Sequence, residues 1–247
     1  MATKPLTKNG NAMTQNECDA TYCDNCSEEL EAGQVDKCEA CAKEYDFSEL
    51  SDSAKAKARE DHTGDGYLDH DWWEYVYEDA NRVAKILGLD IESTRVLPKK
   101  GTVLTININF SGFSCQGDGA CFIGCYEFNE KAVKEMQSYC NDEELIRIAQ
   151  ELTLMQLTQR LKGVESFKAT IKTSGNYCHS DTMNCDVTDW GIDEVGEPDE
   201  KEFLQLMRDF ADWIYATLEK ENDWLYSDEC VDEALADKKF DVDGGVI

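Results

Sequence analysis

The sequence is poor in proline, in histidine and in positively charged residues, and it lacks a long apolar run. Only three prolines interrupt 247 residues, so long helices and strands are permitted. No run of about 18 apolar residues occurs, so we expect no membrane-spanning helix. Residues 1–18 are polar and contain no apolar segment of the kind that a secretory signal requires, so we expect a cytoplasmic protein.

Positive charge is scarce relative to negative charge. The chain has 24 Lys and Arg against 52 Asp and Glu, a formal net charge of −28 and a pI near 4.3. Such a surface repels phosphate, which argues against direct binding to nucleic acid and against binding to an anionic membrane. Hydrophobic residues still make up 41% of the chain and aromatic residues 10%, so the sequence can form a packed core.

Cysteine, by contrast, is abundant, and four of the twelve cysteines form two Cys-x-x-Cys pairs. The first Cys-x-x-Cys motif consists of Cys23 and Cys26, and the second consists of Cys38 and Cys41. Eleven residues separate the two motifs. Thiolates on two such turns suit the tetrahedral shell of Zn²⁺, and a segment this short needs a metal to fold. We predict one structural zinc ion here. A thioredoxin-like redox pair is the alternative, but it would require a surrounding βαβ pattern.

Composition divides the chain into four parts. Residues 1–21 are small and polar and predict a disordered arm, and residues 22–42 form the zinc-ribbon-like module. This module is itself acidic, which favours contact with protein over contact with nucleic acid. Residues 43–62 are rich in alanine and predict an exposed connector helix, with Ser48 as a candidate N-cap. Residues 63–247 form an acidic domain.

Within the acidic domain, the hydrophobic period changes between that of helices and that of strands. A period of three to four predicts helices over residues 71–87, 130–161 with a break near Asn141, 199–224, and from 227 onward. Strict alternation predicts strands over residues 103–110, 121–128, 167–171 and 183–187. This order favours the α+β class, with an antiparallel sheet of about four strands and helices packed on one face.

Two glycine-rich loops carry polar residues. The loop over residues 61–69 imitates the start of a calcium-binding EF-hand, but Trp72 stands where the bidentate glutamate belongs. It therefore also fits a loop that caps the next helix, and both interpretations stay open. The loop over residues 111–122 joins two predicted strands, and it has neither the lysine of a phosphate-binding P-loop nor the Gly-x-Ser-x-Gly of a nucleophile elbow. Its residues of unknown role are Ser111, Gly112, Gln116, Gly117, Asp118 and Gly119.

The second loop raises the question of catalysis. An enzyme could use Cys115 or Cys121 as a nucleophile, with His179 as the base and Asp118 as a further group. The alternative is that the thiols are small, inert core residues. We assign no catalytic residue, and we favour a protein that is not an enzyme.

Carboxylates are interleaved with the apolar positions of the last long predicted helix. They are Asp199, Glu200, Glu202, Asp209, Asp212, Glu219, Glu221 and Asp223. Because like charges at this spacing destabilise a helix, their number indicates a function, and we predict that they bind a basic protein partner. The net charge of −28 equals that of about 48 Å of duplex DNA. Simple solvation, or adaptation to high salt, is the alternative explanation.

Two segments resemble a family of phage-encoded proteins commonly labelled antitoxin of a toxin–antitoxin stability system. They are Asp71-Trp72-Trp73-Glu74-Tyr75-Val76-Tyr77-Glu78-Asp79-Ala80 and the loop at residues 111–122. The resemblance covers about residues 47–247 and leaves the zinc module as an added piece. It implies a phage accessory protein, in the cytoplasm of the infected host cell, that neutralises a host or competitor protein.

Together these patterns predict an acidic phage accessory protein that binds and neutralises a basic toxin, nuclease or host-defence protein, including by mimicking nucleic acid. Two alternatives stay open. One is a cysteine-dependent enzyme that uses Cys115 or Cys121 with His179. The other is a zinc-stabilised scaffolding protein whose acidity is incidental.

Overall fold

A computed structural model describes residues 22, 43–64, 66–69, 71–96, 103–161, 163, 166, 168–188 and 197–247. Contacts between Cα atoms divide the chain into two compact units. The first is Met1–Asp69 with Trp224–Ile247, and the second is His70–Asp223. The predicted arm lies outside the described residues. So do the four cysteines of the predicted zinc site, Cys23, Cys26, Cys38 and Cys41.

Six α-helices lie within the described residues. They are α1 (Asp52–His62), α2 (Glu74–Leu87), α3 (Ala132–Tyr139), α4 (Glu143–Leu161), α5 (Glu197–Leu225) and α6 (Asp228–Leu235). The predicted break near Asn141 is confirmed. Asp142 caps the second of the two helices by accepting hydrogen bonds from the backbone amides of Glu144 and Leu145. None of these six helices is long and apolar enough to cross a membrane.

Ten β-strands lie within the same ranges, and the protein has the predicted α+β class. They are β1 (Tyr45–Asp46), β2 (Leu89–Ile91), β3 (Ser93–Val96), β4 (Val103–Ile106), β5 (Ile108–Phe110), β6 (Ala120–Phe122), β7 (Gly124–Glu127), β8 (Lys168–Thr173), β9 (Met183–Thr188) and β10 (Lys239–Phe240). One antiparallel sheet has four strands in the order β2-β7-β8-β9. The pairs β1–β10, β3–β4 and β5–β6 are also antiparallel.

The four-stranded sheet differs in one member from the sequence prediction. The predicted strand over residues 103–110 is interrupted at Asn107 into β4 and β5, and neither joins this sheet. Strand β2 joins it instead, directly after Gly88 ends helix α2 with a φ of +90°. A Cβ at Gly88 would lie 2.2 Å from the carbonyl oxygen of Glu127 in β7. Only glycine therefore lets the helix turn straight into the sheet.

Helix α5 contributes seven buried residues to the core of the second unit. Its buried residues recur every three or four positions, as an amphipathic helix requires. They are Phe203, Leu206, Met207, Phe210, Ala211, Ile214 and Leu218. The ring of Phe210 lies 5.6 Å from that of Phe122 in β6 and 5.9 Å from that of Trp213. This confirms the apolar stripe predicted for the last long helix.

The first unit corrects the predicted connector helix. Its N-cap is Ser51 rather than Ser48, because the Ser51 hydroxyl accepts a hydrogen bond from the amide of Ala54 at 3.3 Å. The helix is also not exposed all round. Ala54 and Ala58 are buried in a small core that includes Val231 and other residues near the C-terminus. The small alanine side chains allow this helix to pack closely against its neighbours. Alanine also favours helix formation in general, so composition alone did not reveal that these residues are buried.

Candidate protein-binding surface

The outward face of helix α5 carries a line of carboxylates, which we call the acidic stripe. It consists of Glu202, Asp209, Asp212, Glu219 and Asp223. At about 100° per residue these positions fall within a sector of about 100°, on the side opposite the buried residues of the same helix. At about 1.5 Å of rise per residue the stripe is about 32 Å long. All of its members except half-buried Asp209 are exposed.

Asp209 connects the stripe to helix α4. Its Oδ2 atom lies 2.5 Å from Nη2 of Arg147, and its Oδ1 atom accepts a hydrogen bond from Gln205 at 2.9 Å. Arg147 also pairs with Glu144 at 2.6 Å and with Glu151 at 2.9 Å, both on its own helix. The hydrogen bond to Glu144, followed by those to Asp209 and Glu151, raises the pKa of Arg147. One guanidinium is thus shared among three carboxylates and neutralises only part of their charge.

Asp212 has the most perturbed environment in the stripe. The residue is exposed as a whole, but protein atoms around its carboxylate remove water from it. This desolvation raises the pKa of Asp212, and it outweighs the hydrogen bond from Ser180 and the attraction of His179. The carboxylate is therefore less well solvated than a free surface group.

The other three predicted acids of this helix lie off the stripe. Asp199 and Glu200 are half-buried in its first turn, where the carbonyl oxygen of Glu200 accepts a hydrogen bond from the thiol of Cys185 at 3.7 Å. Glu221 is also half-buried, and burial raises its pKa. The structure therefore places five of the eight predicted partner-binding carboxylates on one face.

The glycine-rich loop is the turn of the β5–β6 hairpin. The Asp118 carboxylate accepts hydrogen bonds from the backbone amides of Cys115 at 2.7 Å and Ser114 at 2.9 Å, and these bonds lower its pKa. Gly117 has a φ of +129°, which a residue with a side chain rarely adopts. The backbone of the turn therefore explains why Asp118 and Gly117 occur here. The carboxylate of Asp118 bonds to Ser114 and Cys115, whereas the ring of His179 bonds to Asp181.

Aromatic side chains hold this loop in place. The ring of Phe113 lies 5.8 Å from that of Phe110 and 5.4 Å from that of Tyr215, and the Tyr215 hydroxyl donates a hydrogen bond to the carbonyl oxygen of Gly112 at 3.0 Å. Gly112 lies beside the carboxylate of Asp118, and the amide of Ser111 donates a hydrogen bond to Gly119 at 3.1 Å. Gln116 is exposed at the tip.

Of the two proposed nucleophiles, Cys115 is exposed in the turn of the β5–β6 hairpin, and Cys121 is not arranged with His179 as a base. The thiol of Cys121 is buried, and burial, together with the nearby Cys178, raises its pKa to about 11. Its hydrogen bonds run to Thr182, to the backbone of His179 and to the side chain of Cys178 rather than to the His179 ring. The Nδ1 atom of that ring accepts a hydrogen bond from the amide of Asp181 at 3.0 Å. A protonated, buried thiol is a poor nucleophile at neutral pH.

The presence of glycine at position 119 has a separate steric explanation. A Cβ at this position would lie 2.9 Å from Cδ2 and 3.1 Å from Cα of His179. The hairpin and the turn at His179 therefore approach so closely that only glycine fits.

Within the described ranges, no group of three or more His, Cys, Asp and Glu side chains is placed to hold a metal ion. In the EF-hand-like segment, Asp61 belongs to helix α1, and Asp65 lies outside the described residues.

The sequence reasoning missed an apolar feature on helix α4. Leu154, Leu157 and Leu161, which we call the leucine patch, are exposed to 64%, 49% and 90%. Their spacing of three and four residues is the spacing that normally marks a buried face. The two glutamines within the same turns, Gln156 and Gln159, were the signal that this face does not point inward.

Comparison with known protein families identifies a family for this chain. The family model for a domain of unknown function, DUF8835, matches residues 72–228. Neither the curated proteins nor the solved structures contain a match to the chain. The matched segment includes β2 to β9, helices α2 to α5, the acidic stripe and the leucine patch. Because it spans well over half of the sequence, the chain belongs to the DUF8835 family.

Proposed function

We propose that this protein is an acidic inhibitor that binds and neutralises a basic protein: a toxin, a nuclease or a host-defence component. The acidic stripe supports this proposal most directly. Its carboxylates lie opposite the buried face of helix α5, so they contribute nothing to the core, and their mutual repulsion opposes helix formation. A surface of one charge sign steers an oppositely charged partner and speeds its association.

The spacing of the stripe indicates which kind of basic surface it fits. Five carboxylates lie along about 32 Å, whereas one strand of B-DNA presents about nine phosphates over that distance. The stripe therefore has about half the charge density of a single strand. It suits a lysine- or arginine-lined groove on a protein, and full mimicry of nucleic acid would draw on further carboxylates of the chain.

The sequence, rather than the structure, supports the biological context and the metal content that we propose. The resemblance noted above supports a phage accessory role in the cytoplasm of an infected host cell. The spacing of Cys23, Cys26, Cys38 and Cys41 supports one structural zinc ion ahead of the acidic domain. Elemental analysis of the purified protein should find one zinc per chain, and replacing Cys38 and Cys41 by serine should remove it. A metal-free wild-type protein with intact thiols would contradict the zinc assignment.

The stripe can be tested by neutralising its four exposed carboxylates. The stripe variant is Glu202→Gln/Asp212→Asn/Glu219→Gln/Asp223→Asn, which leaves the pair between Asp209 and Arg147 intact. A matched control removes four exposed carboxylates elsewhere: Asp90→Asn/Glu229→Gln/Glu233→Gln/Asp237→Asn. Both variants lose the same net charge, so a difference between them reports the position of the charge and not its amount.

Affinity capture from host lysate is the readout. Wild type and control should retain the same basic protein at about 50 mM salt and lose most of it by about 200 mM, whereas the stripe variant should retain little at either concentration. If no basic protein is retained at low salt, or if the two variants retain it equally, the proposed function is wrong.

The enzyme alternative makes a different prediction. A catalytic thiolate would react quickly with an alkylating reagent at pH 7, whereas a buried thiol with a raised pKa reacts only when the protein unfolds. We expect Cys121 to be protected in the folded protein and modified in denaturant, as mass spectrometry of peptides would show. Rapid modification of Cys121 in the folded state would revive the enzyme hypothesis.

A further inference from the structure

We propose that the leucine patch on helix α4 is the apolar part of a docking surface for a basic, amphipathic helix of a partner protein. This inference rests on the proposed function, because it assigns a shape and a chemistry to the partner that the acidic stripe attracts.

The last turns of helix α4 reverse the usual distribution of polar and apolar residues. Gln156 and Gln159 are 0% and 1% exposed, while all three members of the leucine patch point outward. The Nε2 atom of Gln159 has no hydrogen-bond partner among the described residues. Burying an amide without a partner and exposing leucine both oppose folding. Folding of this chain alone therefore does not explain the arrangement.

The patch begins at Leu154, about two helical turns along helix α4 from the point where this helix meets the acidic stripe. Arg147, Leu154 and Leu161 are seven residues apart, so they lie within about 40° of one another on the outward face of the helix. Arg147 is the residue that pairs with Asp209 of the stripe at 2.5 Å. One face of helix α4 thus leads from the stripe to the leucines, and a partner that contacts one is placed to contact the other.

Charge and size decide between the candidate occupants. A second copy of the chain would bring another 28 negative charges to the surface, which opposes pairing. Three partly exposed leucines also offer far less than the roughly 800 Å² per partner of a standard stable interface. A helix with apolar residues on one side, flanked by lysines or arginines, is complementary to both the leucine patch and the acidic stripe. Its apolar ridge fits leucines at three- and four-residue spacing, and its cations face the stripe.

The test uses a defined probe with the full-length protein. The probe is a labelled peptide of about 18 residues, or five helical turns, made of leucine and lysine in an amphipathic arrangement. A scrambled peptide of the same composition has the same charge but no continuous apolar face. Fluorescence anisotropy at about 0.1 M salt should show that the wild type binds the amphipathic peptide at least about tenfold more tightly than the scrambled one.

The leucine variant, Leu154→Gln/Leu157→Gln/Leu161→Gln, should bind the two peptides equally. A matched control replaces three exposed aliphatic residues elsewhere, Val242→Gln/Val246→Gln/Ile247→Gln, and should keep the tenfold ratio. Because the replaced leucines are exposed, the melting temperature of the leucine variant should stay within a few degrees of wild type. The single change Leu161→Gln, at the most exposed position, should lower the ratio in part without affecting folding.

Each proposal fails on a separate result. A ratio that survives in the leucine variant, or a wild type that binds both peptides equally, overturns the docking proposal alone. A stripe variant that binds both peptides as tightly as wild type overturns the proposed function, whatever the ratio. Sedimentation that shows a wild-type dimer and a monomeric leucine variant would assign the patch to a second copy and would also overturn the docking proposal.

Discussion

Helices α4 and α5, the two longest among the described residues, present opposite chemistry to their surroundings. Helix α5 buries seven apolar residues on one face and carries the five carboxylates of the acidic stripe on the opposite face, as a surface helix normally does. The second half of helix α4 buries two glutamines and exposes three leucines. The comparison teaches that α5 separates its core residues from its proposed binding residues by face, whereas the end of α4 places apolar residues on its outward face.

The largest effect should come from the inner face of helix α5. Phe210 is fully buried, with its ring packed against Phe122 and Trp213, so Phe210→Ala should lower the free energy of unfolding by about 3–5 kcal/mol. Glu219→Ala on the outer face should change it by no more than about 0.5 kcal/mol. Urea unfolding of both variants measures the difference. A cost below about 1 kcal/mol for Phe210→Ala would show that α5 does not carry the core.

A smaller effect of opposite sign should come from the inner face of helix α4. Gln159→Met replaces an amide whose Nε2 atom has no hydrogen-bond partner in the described part of the chain by an unbranched apolar side chain of similar length. It should raise the free energy of unfolding by about 1 kcal/mol. Gln150→Met, on the exposed face of the same helix, serves as the control and should have almost no effect. A marked loss of stability in Gln159→Met would mean that this amide makes an essential bond, and the contrast between the two helices would weaken.

The smallest effect concerns the stripe itself. Because desolvation raises the pKa of Asp212 in the folded state, its charged form opposes folding. Asp212→Asn should therefore raise the free energy of unfolding by at most about 0.5 kcal/mol at pH 7. The difference in the free energy of unfolding between the variant and wild type should disappear as the pH falls through the raised pKa of Asp212, because the wild-type side chain then becomes neutral too. Thermal unfolding between about pH 4 and 7 measures it, and a less stable Asn variant at pH 7 would contradict the assigned cause.

Much of helix α5 could be predicted from sequence because its two faces differ in composition. Its apolar residues recur at helical spacing, and five of its acids fall between them on the opposite side. What periodicity does not give is the environment of each carboxylate. Asp209 is engaged by Arg147, and the carboxylate of Asp212 is desolvated near Ser180, and both facts depend on residues far away in the chain.

Other features of the structure could not be predicted from the sequence, also for physical reasons. Strand β2 has only three residues and follows Gly88 without a linker, so it is too short to show alternation. Helix α1 looked like an exposed connector because alanine favours helices whether or not it is buried. The leucine patch has the spacing of a core stripe, and only the burial of Gln156 and Gln159 shows that the helix is turned the other way.

Zero-length crosslinking of carboxylates to lysine amines, followed by peptide mass spectrometry, tests the central claim most directly. It is applied to the complex with the captured basic partner, and it reports which acids lie within contact distance of a cation. The account predicts that crosslinks concentrate at Glu202, Asp212, Glu219 and Asp223. Crosslinks spread over all exposed acids, with Asp90, Glu229, Glu233 and Asp237 represented as often as the stripe, would contradict it.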